Sequence, residues 1–352
     1  MRNVHRCTAA TGLLLLAGTL AAQEAQTQAA PPAAAASNAK IGLDFEAGYS
    51  IKDRVDFNET KDSKSESGFD VTNADLYFKF DADRTKVLVR ADLLNSAVIS
   101  TALERAWAQY TFNEFVALKV GKEETFNFDP VTTTERAPYE IITTKEVPMA
   151  EITGGLTDLK LTYGLQLWED REPNPATEGA NREKVSDQDT GLGSNMALHL
   201  DYKLNEAINF GFIYFMDKGY DTYTASVKTG EVKDSTAYQL YGQYVVEQFG
   251  AAVSYAQQAV NSDLKGGQSL LISGDYYGLN PIGLHAFFNN YTIVYPKGMD
   301  PKPKAGNTLA IMADYKMNDN LKYFAQLQNF GKDFYQTPES ANNLEVGLQA
   351  NF

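Results

Sequence analysis

From Lys40 onward, apolar and polar residues alternate with a period of two in segment after segment. Ile41, Leu43, Phe45, Ala47 and Tyr49 share one parity, and Gly42, Asp44, Glu46 and Gly48 share the other. The alternation recurs in Leu76–Phe80, Lys86–Ala91, Val116–Gly121, Leu159–Leu167, Met196–Tyr202, Ile208–Tyr214, Tyr238–Tyr244, Ala251–Tyr255, Leu309–Tyr315, Leu321–Leu327 and Leu344–Phe352. Successive side chains of a strand face opposite sides, so each segment has an oily face and a wet face. Segments of about ten residues with this pattern are the signature of membrane-spanning barrels, weak singly and strong when repeated.

The connections are of two kinds. Short ones fall at Asp81–Arg84, Phe112–Glu114, Leu204–Glu206, Glu247–Gln248, Asn280–Pro281 and Asn318–Asn320. Asn and Asp suit such corners because they tolerate left-handed backbone and bond to nearby amides. Long polar connections fall at Lys52–Asp70, Leu94–Thr101, Glu123–Lys145, Glu169–Ser194, Asp217–Ser235, Val260–Gly267, Pro296–Asn307 and Gly331–Asn342. In an up-and-down barrel the two kinds alternate, short turns facing the periplasm and long loops the exterior. The alternation fails once, between Glu123 and Ser194, and a strand at about Glu146–Ile152 turning at Gly154-Gly155 restores it. The expectation is an all-β, antiparallel, up-and-down transmembrane barrel of about 16 strands; one misread hairpin makes it 14 or 18. A soluble β-sandwich also alternates, but it requires neither this strand number nor one short-looped end.

Composition narrows the class. The chain has 31 basic and 45 acidic residues and a net charge of -14, which argues against a nucleic-acid partner. The apolar run Gly12–Ala22 follows Arg2 and Arg6, as in a secretory signal, so residues 1–22 are expected to be removed. Loss of the two arginines takes the charge from -14 to -16. Cys7, the single cysteine, lies inside that leader, which leaves no disulfide framework and no thiol chemistry. Residues 23–39 are rich in Ala, Gln and Pro and are expected to form a flexible lead-in to a barrel over 40–352. Outer-membrane lipid is then the surrounding medium. Phe352 on a last amphipathic strand resembles the signal read by the barrel assembly machinery.

Candidate chemistry is sparse. Beyond the leader the histidines are His199 and His285; Ser194 precedes His199 by five residues, which on a strand puts them on opposite faces. No catalytic residue is assigned, and neither a cofactor nor a metal site is expected, because clustered His or Cys ligands are missing from the sequence. The acidic run Asp53, Asp56, Glu59, Asp62 and Glu66 lacks the spacing of a calcium loop. More informative are Lys79, Lys86, Arg90, Arg105, Lys119 and Lys160, all on the wet phase of early strands. Together they form a candidate basic wall lining the pore, which attracts anions. Asp75, Asp92, Glu46 and Asp158 share that phase, so the wall is alternatively balanced within itself. A constriction loop is expected at about 123–145, carrying Glu124, Asp129, Glu135, Arg136, Glu140 and Lys145 and folding inward to narrow the channel.

The run Glu104–Phe112, then Leu118–Lys122, then Thr134-Glu135-Arg136 resembles the corresponding block of phosphate-selective porins of the O/P type. The match covers about 35 residues, with strand number and terminal Phe extending it loosely. The resemblance implies a sixteen-stranded, homotrimeric outer-membrane channel for passive diffusion of small hydrophilic solutes or ions, phosphate among the anions. The chain departs from that family in arginine content: seven follow the leader, where the family carries a dense ladder. Phosphate selectivity is therefore not carried over. The competing expectation is a structural or adhesive barrel with acidic loops and no open pore.

Overall fold

In a computed structural model of the chain, the structure describes residues 38–54, 64–94, 103–126, 128, 146–168, 195–217, 221–224, 227–231, 235–260, 267–293, 304–330 and 341–351. The strands are β1 (Asn38–Arg54), β2 (Lys64–Ala82), β3 (Thr85–Asp92), β4 (Leu103–Asn113), β5 (Val116–Glu124) and β6 (Glu146–Leu156). They continue as β7 (Leu161–Trp168), β8 (Asn195–Lys203), β9 (Ile208–Asp217), β10 (Asp221–Thr224), β11 (Val227–Glu231) and β12 (Ser235–Val246). The last six are β13 (Phe249–Val260), β14 (Gln268–Leu279), β15 (Ile282–Ile293), β16 (Lys304–Asn318), β17 (Leu321–Phe330) and β18 (Ala341–Asn351). Sixteen of them close into one antiparallel barrel in chain order, while β10 and β11 pair only with each other. That small hairpin has no counterpart in the alternation pattern. The ring shuts where β1 pairs β18, from Asp44 opposite Asn351 to Lys52 opposite Asn343. Closure leaves the barrel itself no open edge, which a bilayer requires because lipid offers no hydrogen-bond partners.

The two parities separate as the alternation requires. Ile41, Val89, Val120, Leu240, Val253, Ile272, Ile311, Leu327 and Val346 stand exposed on the outside. Glu46, Asp75, Glu151, Gln166, Asp275, Asn289, Thr308, Gln326 and Glu345 are buried on the inner face. An oily exterior around a polar interior is a lipid-facing barrel.

Tight turns join strands at one end. Asn113 Oδ1 accepts the amides of Phe115 and Val116, each at 2.9 Å. Asn205 Oδ1 does the same for Ala207 and Ile208, also at 2.9 Å. Asn318 Oδ1 accepts the Asn320 amide at 2.8 Å. Asp83 has the positive φ of 47° that a tight corner demands.

The turn after β6 differs from expectation. The strand continues through Gly154 and Gly155 to Leu156, and the chain reverses at Thr157–Lys160 instead. Gly154 is needed within the strand because a Cβ there would collide with the Phe115 carbonyl. β1 likewise begins at Asn38, two residues inside the stretch read as flexible lead-in.

The interior is not lined by water-facing side chains alone. Phe128, Met149, Trp168, Ala197, Ile213, Phe215, Ala237, Tyr241 and Ala252 form a buried apolar cluster, with Phe126 and Val147 packed against it. Most of these lie on the inward parity of β6 to β13, so this cluster sits inside the barrel.

Candidate functional site

Strand register brings the inward charges of β2 to β6 together on one wall. Arg90 faces Tyr77 on β2 and Arg105 on β4, and Lys119 on β5 faces Glu151 on β6. Two arginines side by side repel, and carboxylates compensate them. Arg90 bonds Asp75 through Nε at 2.9 Å and through Nη2, and its Nε lies 3.1 Å from Glu104. Arg105 pairs with Glu124 and, at 3.5 Å, with Glu123. Lys119 reaches Glu151 at 3.0 Å and Glu123 at 3.3 Å, and its ammonium lies 4.9 Å from the centre of the Trp107 ring. The middle of the wall is a lattice of alternating charge rather than a row of free cations.

The remaining residues of the expected wall divide by position. Lys79 caps the Tyr77 ring at 4.2 Å, with Lys40 5.7 Å from the same ring. Lys86 lies near the short-turn end, 3.9 Å from Asp81, with both side chains more than half exposed. Lys160 is not on a strand. It ends the turn after β6 with a φ of 52°, and its ammonium donates to the Leu204 carbonyl at 3.1 Å. The alternation placed it on a strand because a 3-10 turn interrupts the period without changing composition.

After β5 the chain heads inward. Gln166 on β7 accepts the Phe126 amide at 2.8 Å and donates to the Glu124 carbonyl at 3.0 Å and to Glu151 at 2.8 Å. The Phe126 ring rests where Gly164 has no side chain; a Cβ at that position would collide with it. Phe128 stacks on Tyr241 with ring centres 4.0 Å apart and planes 16° from parallel. Tyr241 in turn lies over Gly211 and shares a 2.7 Å hydrogen bond with His199 Nε2. Of the expected constriction residues, Glu124 takes part in this arrangement. Asp129, Glu135, Arg136, Glu140 and Lys145 lie outside the described residues, as do Ser194 and Phe352.

Across the barrel, β14, β15 and β16 hold a second polar group. His285 Nδ1 is 2.6 Å from Asp275 and Nε2 is 3.3 Å from Asp314. Lys322 on β17 lies 3.8 Å from Asp314, and Tyr277 meets the imidazole edge-on at 5.6 Å. Both ring nitrogens of His285 are thus turned to carboxylates. Neither histidine is among groups of three or more ligating side chains suited to a metal ion, and the described residues contain no such group.

Sequence reasoning missed Trp107, Gln166, Phe126, Phe128, Tyr241 and the Asp275–His285–Asp314 group. The strand members depend on pairing between strands, and Phe126 and Phe128 on the path of the chain after β5. Inward parity marks all of the strand members as candidates, but only register says which of them meet.

Comparison with known proteins speaks for the architecture. No protein-family model matches the chain, and no curated protein does. Solved structures match over nearly its whole length. The outer membrane channel DcaP of Acinetobacter baumannii superposes with a TM-score of 0.62 at 9% identity, covering 92% of this chain and 100% of DcaP. Salmonella typhi OmpF, in complex with daunomycin, gives 0.61 at 12% identity over 89% and 97%. OmpT of Vibrio cholerae in its trimer form gives 0.58 at 11% identity over 90% and 100%. The chain has the fold of outer-membrane porins and channels. At such identities the likeness is one of fold, and it does not single out the phosphate-selective branch. A closed sixteen-stranded barrel with an apolar exterior is a bacterial outer-membrane architecture, and the bacterial outer membrane is where this chain belongs.

Proposed function

We propose that the protein is a porin, a passive channel for small hydrophilic solutes or ions through outer-membrane lipid. The observation that carries this reading is the closed barrel of sixteen strands with polar residues directed inward, a size that leaves room for an aqueous path. The segment entering the lumen after β5 narrows that path. Purified protein in a planar bilayer is expected to give discrete conductance steps. Well-inserted protein that stays silent refutes the reading.

Selectivity follows from the ion lattice. Arg90, Arg105 and Lys119 each lie against carboxylates, so the mid-wall cations present little uncompensated positive charge to a passing anion, phosphate included. We expect a reversal potential close to zero or displaced toward cations in a salt gradient. Lys119→Glu combined with Arg105→Glu removes two cations beside Glu123, Glu124 and Glu151 and should drive the potential further toward cations. A strongly anion-selective wild type would restore the basic-wall reading.

A homotrimer is part of the proposal, supported by the trimer form of the Vibrio cholerae neighbour and tested by cross-linking in detergent. A second reading, a structural or adhesive barrel without a conducting path, draws on the depth of burial along β15 to β17. Inward-facing Asn289, Thr308 and Gln328 are at most 1% exposed. The same recordings separate the two.

A further inference from the structure

Gln166 is the place where the charged wall, the barrel and the inward segment meet. Its carboxamide treats the chain after β5 as a strand neighbour would, accepting from the Phe126 N–H and donating to the Glu124 C=O. The same NH2 group donates to Glu151, which holds Lys119. A carboxamide is suited to this because it presents an acceptor and two donors at once. Gln166 itself is 1% exposed, so its partners cannot be replaced by water without cost. Beside it, Gly164 leaves the notch that seats the Phe126 ring. Beyond that ring, Tyr241 provides the flat surface on which Phe128 stacks.

The geometry points to Gln166 as a positioning residue that sets the cross-section of the pore, by fixing where the segment after β5 crosses the inner face. This rests on the porin reading. The described start of the inward segment is held at successive points: Glu124 is bound to Arg105, Phe126 is bound to β7, and Phe128 is stacked on Tyr241 of β12. Gln166 joins the first two. Without it, the Phe126 amide and the Glu124 carbonyl lose their partner, and the seated position weakens by on the order of fivefold for each hydrogen bond. The barrel ladder does not depend on these bonds.

The test compares Gln166→Met, which keeps volume and removes the hydrogen bonds, with the wild type. Single-channel conductance is recorded in planar bilayers, and liposome swelling is measured with neutral sugars of graded size. Thermal unfolding in detergent is followed alongside. The expected result is a changed or noisier conductance and a shifted size cut-off, with swelling rates for larger sugars altered more than those for small ones and little change in melting. Gly164→Ala, which disturbs the Phe126 seat without touching Gln166, should shift the cut-off in the same sense, and it carries the test if Gln166→Met does not fold. A conducting wild type whose two variants keep its conductance and cut-off overturns the inference while leaving the porin reading in place. A wild type that neither conducts nor swells liposomes overturns both.

Discussion

At the scale of single residues, the inner wall is governed by the difficulty of burying charge. Asp75 is fully buried and depends on Arg90. Arg90→Ala strands that carboxylate beside Asp44 and Asp92, its neighbours across β1 and β3, and is expected to destabilise the barrel by about 3–5 kcal/mol. The shift in unfolding midpoint in detergent measures it, and the double variant Arg90→Ala with Asp75→Asn should recover part of the loss. On the opposite face the rule reverses. Val120 is 54% exposed on the oily side of β5, so Val120→Arg places a charge in lipid at a cost of about 2–4 kcal/mol near the bilayer midplane. Reversible unfolding in lipid vesicles checks it. Which parity of β5 is oily was readable from Val116, Leu118 and Val120 alone. That Lys119 stands between Glu123, Glu151 and the Trp107 ring was not, because Glu151 and Trp107 belong to other strands.

At the scale of elements, strands are defined by alternation and turns by local chemistry. Asn205 and Asn318 each satisfy amides of their own turn, which is why similar sequences, Tyr202–Asn205 and Tyr315–Asn318, stand at both corners. Asn205→Ala removes two such bonds and is expected to cost about 1–2 kcal/mol, seen as a lower unfolding midpoint with conductance unchanged. The reversal after β6 was misplaced at Gly154-Gly155 because glycine marks a tight turn and a close approach equally well. Here the close approach is the cause: the Phe115 carbonyl and the Tyr163 hydroxyl, 2.5 Å apart, occupy the space beside Gly154. The hairpin of β10 and β11 was hidden for a different reason. Strands of four and five residues are too short to establish a period.

At the scale of the whole molecule, closure is what makes the chain a membrane protein. Val346 lies in the middle of β18, opposite Tyr49 on β1 and Ala325 on β17. Val346→Pro interrupts the ladder at the seam, and the expected outcome is failure to form a heat-resistant barrel, checked by mobility on gels with and without boiling. The sequence by itself determined the class of fold, a strand number of about sixteen with 14 and 18 left open, and the oily and wet faces of the segments that alternate clearly. Those depend on local rules: side chains alternate, lipid excludes polar groups, and short turns alternate with long loops. Only the tertiary structure decided how the inner face works. It paired Arg90, Arg105 and Lys119 with carboxylates, moved Lys160 off the wall into a turn, and seated Phe126 and Phe128 through Gln166, Gly164 and Tyr241. The physical reason is that period two specifies a face but not a partner. A side chain's charge environment is set by the strands beside it, and those contacts exist only once the register of the closed barrel is formed.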